Sequence, residues 1–241
     1  MALTEFEFIT GLSCLLIVVI SIIVGFLMAL KYIKHKKITL LLVGVTWIGI
    51  VEVWYPAAIS FILILIMGSG LTSEMHFFFA FFFIPITINL WLFAFTELTY
   101  KKKQKIIQII YIILGVIFEI GFLYFLINDP TQIGVLEGPF NGEYNLLIMG
   151  WVLLFLLTFI FTGIIFALDP LKSKIPEMKL KGKFLLMAFI SFGIGSIIDG
   201  YLSINVILLI IIRLFLISSV IEFYMGFILP DWIKKLFLKK K

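Results

Sequence analysis

The chain is 241 residues long, 63% of them hydrophobic and 14% charged, where soluble domains carry about a quarter charged residues. That composition excludes an ordinary soluble enzyme or binding domain and describes a polytopic membrane protein. The formal charge of +5 does not point to nucleic acid, because the basic residues sit in short clusters between apolar runs and so face a membrane surface.

Seven apolar runs are long enough to cross a hydrocarbon core of about 30 Å as helices. The first covers about Phe6 to Tyr32 and ends among Lys31, Lys34, His35, Lys36 and Lys37. No basic cluster precedes it and it is too long for a signal peptide, so it is expected to be a retained first helix. It holds Cys14, the sole cysteine. One cysteine excludes an intrachain disulfide and a cysteine-built metal site, and buried it is expected to pack as a small hydrophobe. The second run, about Thr39 to Met67, contains Glu52 and Pro56 and stops at Gly68-Ser69-Gly70. The third, about Leu71 to Tyr100, is rich in phenylalanine between His76 and Pro85, which reads as packing or lipid-facing surface, and ends at Lys101, Lys102, Lys103 and Lys105.

The fourth run, about Ile106 to Ile127, contains Glu119, and a polar connection from Asn128 to Tyr144 follows with Asp129, Glu137, Glu143 and two prolines. The fifth, about Asn145 to Leu168, has no ionisable residue and leads into a basic loop, Asp169 to Lys183. The sixth, about Phe184 to Leu202, carries Ser191, Gly193, Gly195 and Ser196, a small face suited to close helix approach, and then Asp199. The seventh, about Asn205 to Leu229, holds Arg213 and Glu222. The remaining tail, residues 230–241, interleaves Trp232, Ile233, Leu236 and Phe237 with five lysines. It is expected to lie as an interfacial helix on anionic headgroups, a cytoplasmic protein partner being the alternative.

Of the 19 basic residues, 18 fall after runs one, three and five or in the tail. The positive-inside rule then places the N-terminus outside and the C-terminus in the cytoplasm. That arrangement requires an odd number of spans, in agreement with seven.

Four ionisable residues lie deep in the spans. Counted along each helix from its inner boundary, Glu52, Glu119, Asp199 and Arg213 stand roughly 21 to 24 Å above the lysine-rich side, near one level. Arg213 needs a partner, since a charge in a span costs on the order of 2.5 to 3.5 kcal/mol by insertion scales. Three carboxyls against one guanidinium leave about two excess negative charges, which apolar surroundings disfavour, so protons or a cation are expected to balance them. In one arrangement Arg213 pairs with Asp199 across the short connection between runs six and seven, while Glu52 and Glu119 serve packing. In the other, all four floor an outward-facing cavity as ligand-binding or ion-coupling residues, with His76, Tyr124, Tyr201 and Asn205, and also Trp54 and Tyr55, around it. Nearer the lysines, Glu97 is placed to reach the lysines that follow it, and Glu222 is a candidate inner gate or a partner of Ser218.

No HExxH, phosphate-binding glycine loop or cysteine-histidine pair is present, so neither a cofactor nor catalysis is expected. A retinal protein would carry a lysine within the last span, and a common G-protein-coupled receptor would carry Asn-Pro-x-x-Tyr there; neither occurs. The exit of run seven, Gly226 to Lys235, reads GFILPDWIKK. With the seven-span layout, it resembles the exit of the seven-helix membrane sensor modules of some prokaryotic histidine kinases, where a Leu-Pro-x-Trp-basic segment leads to the signalling domain. The resemblance implies a sensor or receptor-like protein for a small molecule or lipid, acting through a separate signalling protein since no kinase follows in this chain. The alternative expectation is a proton- or cation-coupled secondary transporter built on the carboxylates and Arg213. Broken helices in corresponding positions of two halves would favour transport, whereas Pro56 and Pro85 have no counterparts in runs five to seven.

Overall fold

In the computed structural model, which describes residues 3–201 and 205–238, the first helix opens on a reciprocal cap. The Thr4 hydroxyl accepts from the Glu7 N–H and the Glu7 carboxylate accepts from the Thr4 N–H, which satisfies two donors the helix start leaves free. From there α1 runs Glu5–His35. Span two is α2 (Ile38–Gly49) and α3 (Tyr55–Met67); span three is α4 (Ser73–Phe81) and α5 (Ile84–Thr99). Then follow α6 (Gln104–Asn128), α7 (Leu146–Leu171), α8 (Pro176–Tyr201), α9 (Val206–Ile228) and the short α10 (Asp231–Phe237). Seven of these segments are long and apolar enough to cross a membrane. The chain is therefore an all-α integral, multi-pass membrane protein. Met1, Ala2, Leu202, where the sixth run was expected to end, and Lys239 to Lys241 of the tail lie outside the described residues.

Spans one, two, three, five, six and seven close a ring in which each packs on the next, and span four stands outside it against α5. The centre of the ring is aromatic. Trp47 stacks on Phe223 with ring centroids 3.7 Å apart, and Phe159 and Phe192 tilt against it. Trp91 is buried one layer away and donates its indole N–H to Thr162 at 2.7 Å. The phenylalanine-rich stretch of span three divides by helix face: Phe77 and Phe81 are buried and Phe83 is exposed.

The outlying α6 presents isoleucines to the outside and buries Phe118 and Phe122 against Trp151, Phe155 and Phe81, and polar contacts add to that packing. Asn89 donates to the Tyr111 carbonyl at 3.3 Å, Gln108 donates to the Asn89 carbonyl at 3.3 Å, and the Tyr111 and Thr158 hydroxyls lie 2.8 Å apart. Removing one such bond, as in Tyr111→Phe, is expected to cost about 0.6 kcal/mol. The measurement is unfolding by urea in mixed micelles; a loss above about 2 kcal/mol would mean that the α6 contact depends on this hydroxyl alone.

Two spans are broken at mid-depth. In span two the helix stops at Gly49, a short 3₁₀ turn Glu52–Trp54 follows, and α3 restarts with Pro56 in its first turn. In span three the interruption is Phe82 and Phe83, with Pro85 in the first turn of α5. Proline has no N–H to continue a ladder and is preset for a helix start, so each proline fixes where its second half begins. The Tyr55 hydroxyl crosses the first break and donates to the Ile48 carbonyl at 2.6 Å.

Two boundaries differ from the hydropathy reading. The basic loop expected over Asp169 to Lys183 is mostly helix, because α7 continues to Leu171 and α8 begins at Pro176. Hydropathy marks where apolar surroundings end, and here the helices continue past that level into the lysine-rich zone. The connection after α6 is also structured. Strands β1 (Gly134–Glu137) and β2 (Asn141–Tyr144) pair antiparallel, Gly134 opposite Tyr144, around a turn with Gly138 at φ 75°. A lone hairpin is marginal in water. This one is fastened by buried Phe140 against Phe61 and by Tyr144 against Phe77 and Phe81.

Candidate functional site: a hairpin-covered cavity

The hairpin covers a cavity of about 740 Å³ to which every span of the ring contributes lining residues. Its depth is set by the break in span two, which carries Trp54 into the ring interior. There Trp54 donates its indole N–H to Asp199 Oδ2 at 2.8 Å, and Arg213 Nη2 lies 3.1 Å from Asp199 Oδ1. Both charged side chains are only 8% exposed. The guanidinium carbon stands 5.9 Å from the Trp54 ring centre, within cation–π range, and Cys14 of α1 lies beside the same guanidinium.

The Asp199–Arg213 pair is neutral as a unit, as burial in hydrocarbon requires. It is not saturated. Arg213 Nε and Nη1 are buried without a hydrogen-bond partner among the described residues. Nε–H and the Nη1 amino group lie on different edges of the planar guanidinium, so each is free to donate to a separate oxygen. Above this polar floor the walls are apolar and aromatic, with Phe81, Val152, Phe155, Leu156 and Phe192, and Tyr201 and Tyr144 stand among them. The arrangement holds a molecule with an oxygen-rich end and an apolar body.

The expected residues divide into three groups. Asp199, Arg213 and Tyr201 line the cavity, and the Tyr201 hydroxyl donates to the Met149 carbonyl at 2.7 Å. His76 does not line it but supports it: its Nε2 lies 3.3 Å from the Tyr144 hydroxyl, fastening the hairpin to α4. Burial pushes the Tyr144 phenol well above its ordinary value, so this group stays a neutral hydroxyl. Glu52 and Glu119 form a second place, and neither is among the residues that line the cavity. Glu52 is 1% exposed, faces the backbone N–H groups of Phe83 and Ile84 at the break in span three, and feels the charge of Glu119. Neither carboxyl closes a hydrogen bond of ordinary geometry among the described residues.

Three further residues stand elsewhere. Asn205 caps α9, its side chain accepting from the Leu208 N–H at 2.9 Å. Tyr124 is 63% exposed on α6, the span outside the ring, and is absent from the cavity wall. Its place just beyond Glu119 on the same helix put it near the acids on paper, but its direction around the helix is outward. Glu222 faces Ser191 of α8 and Ser218 of its own helix, and it lines neither this cavity nor the smaller one at the lysine-rich end. Glu97 pairs with Lys101 at 2.5 Å.

Sequence reasoning passed over two contributors. The hairpin supplies Tyr144 and Phe140 to the cavity, and a signal for it existed in the turn-forming Gly138-Pro139 between short alternating segments. Ser196 also lines the cavity, so the small face of span six is shared out. A β-carbon on Gly193 would lie 2.7 Å from Ile160 of α7 and one on Gly195 would lie 2.7 Å from Leu216 of α9. The two glycines thus admit opposite neighbours, which leaves Ser196 to the cavity. Among the described residues no group of three histidine, cysteine or acidic side chains is placed to hold a metal ion. Comparison with known proteins gives no match, either to a family model, to a curated protein or to a solved structure.

Proposed function

We propose that this is a receptor-like membrane protein that takes a small molecule or lipid into the hairpin-covered cavity and signals through a separate partner. The observation that carries the reading is the buried, half-satisfied Arg213 at the cavity floor. A buried donor without a partner is costly, on the order of 1 to 3 kcal/mol, and a ligand oxygen removes that cost. A volume near 740 Å³ lies within the range of about 300 to 1,000 Å³ typical of small-molecule sites. With the N-terminus outside, as the distribution of lysines argues, the cavity opens on the outer side. The tail, with α10 beyond Pro230, is then the cytoplasmic element on which a partner can act, in keeping with its likeness to the exit of kinase-linked sensor modules.

The test is native mass spectrometry of protein released from mild detergent. Wild type is expected to carry a stoichiometric small ligand that Arg213→Gln lacks. Only heterogeneous lipid on both would overturn the reading.

A second reading rests on a separate observation, the adjacent breaks of spans two and three with Glu52 facing the backbone of the second break and Glu119 near it. Unwound carbonyls and half-helix ends at such breaks coordinate coupling ions in secondary transporters, although here both breaks fall in the first half of the chain. On this reading the protein is a proton- or cation-coupled carrier. Reconstituted liposomes would show substrate-driven proton or cation flux that Glu52→Gln abolishes, and no flux in wild type would exclude it.

A further inference from the structure

At the lysine-rich end, away from the outer cavity and independent of any reading of it, a smaller cavity of about 350 Å³ lies where α1 and α9 end. It is lined by Lys31 and His35 of α1, Lys37 and Leu40 at the start of α2, Lys181 of α8, and Phe227 and Ile228 of α9. No carboxylate is among its lining residues within the described part of the chain. Glu177, whose charge reaches Lys181, is itself paired with Lys234 of α10 at 3.4 Å, and Lys234, whose charge reaches Lys181 too, also reaches Asp231 at 3.6 Å.

Two helix ends account for part of this positive charge. Each helix C-terminus is equivalent to roughly −0.5 of a charge, and the half-buried Lys181 donates to the Phe227 carbonyl at 3.0 Å. Three ammonium groups against two such ends leave a surplus of about +2 even with His35 neutral. An ammonium carries three donors, so Lys181 keeps two of them after serving Phe227. We infer that this cavity binds a phosphate group. The group is presented either by an anionic phospholipid seated at the ends of α1 and α9 or by a soluble phosphate. Position favours the lipid, because helix ends lie at headgroup level and basic pockets between spans on the inner face hold such headgroups. The turn that shapes the site is held tightly: Lys36 caps α1 at φ 54°, its N–H donating to the Tyr32 carbonyl at 2.7 Å.

The experiment uses the full chain in mild detergent, with phosphatidylglycerol, phosphatidylcholine and inorganic phosphate as probes, and reads binding by native mass spectrometry. Lys31→Gln/Lys37→Gln is compared with Lys102→Gln/Lys103→Gln, which removes the same charge from exposed lysines at the same end. Lys181 is left intact because it serves the end of α9. Wild type is expected to retain phosphatidylglycerol over phosphatidylcholine. The cavity variant should lose roughly 25-fold in that affinity, about fivefold per lysine, and the control should keep it. Retention in excess inorganic phosphate identifies the lipid as occupant, and displacement identifies a soluble phosphate. Equal loss in both variants, or no preference for either phosphate probe in wild type, overturns the inference.

Discussion

Arg213→Gln is expected to destabilise the protein by about 3 to 5 kcal/mol, because it strands Asp199 as an unpaired charge in a site that is 8% exposed. The paired change Asp199→Asn/Arg213→Gln is expected to recover most of that loss, since two neutral amides have no charge to strand and can bond to each other. Trp54→Phe should fall between wild type and Arg213→Gln. It removes one hydrogen bond to a carboxylate, on the order of 1.5 to 3 kcal/mol, but leaves the opposite charge in place. Urea unfolding in mixed micelles, followed by tryptophan fluorescence, measures all three. A single Arg213→Gln that costs no more than the paired change would show that the two residues do not act as a pair.

The same set separates folding from binding. The paired variant restores charge neutrality without restoring the two unpartnered guanidinium donors. On the receptor-like reading it therefore folds normally and still lacks ligand. If the paired variant binds as wild type does, the unpartnered N–H groups of Arg213 are not the ligand contact, whatever the single variant shows.

The Asp199–Arg213 contact was open to sequence reasoning because the physics leaves few choices. Arg213 is the sole arginine, it sits within an apolar run, and Asp199 is the first carboxylate across a short connection. The grouping of Glu52 and Glu119 with that pair was not legible. Counting residues from a basic boundary gives height along each helix but not direction around it, and these two turn towards the broken spans. Tyr124 fails for the same reason. Asn205 has a local explanation: an asparagine just ahead of an apolar run is a strong helix cap, a role that needs no cavity. Both broken spans were marked in advance by Pro56 and Pro85. Each break lies just before its proline and not at it, as expected for residues that begin a helix more readily than they interrupt one. The hairpin was obscured by its length, since four-residue strands carry almost no alternation to detect.

The second large effect lies at the crossing of α1 and α2. Gly25 and Gly44 face each other there. A β-carbon on Gly44 would lie 2.5 Å from the Gly25 carbonyl oxygen and 2.7 Å from the Ala29 nitrogen, and one on Gly25 would lie 2.6 Å from the Gly44 carbonyl oxygen. These neighbours are backbone, so they cannot rotate away, and the helices must move apart. Trp47, less than one turn after Gly44, loses its stack on Phe223 if they do. Gly44→Val is therefore expected to cost at least the roughly 1 to 3 kcal/mol typical of overpacking, and to red-shift and broaden tryptophan emission as the aromatic centre loosens. Gly121→Ala is the control of opposite sign. Nothing lies within 4 Å of a β-carbon at that position on α6, and alanine there is expected to stabilise by about 0.5 to 1 kcal/mol through helix propensity. Should Gly44→Val unfold with wild-type midpoint and emission, the two helices can be parted without cost, and the packing of the ring does not depend on their close approach.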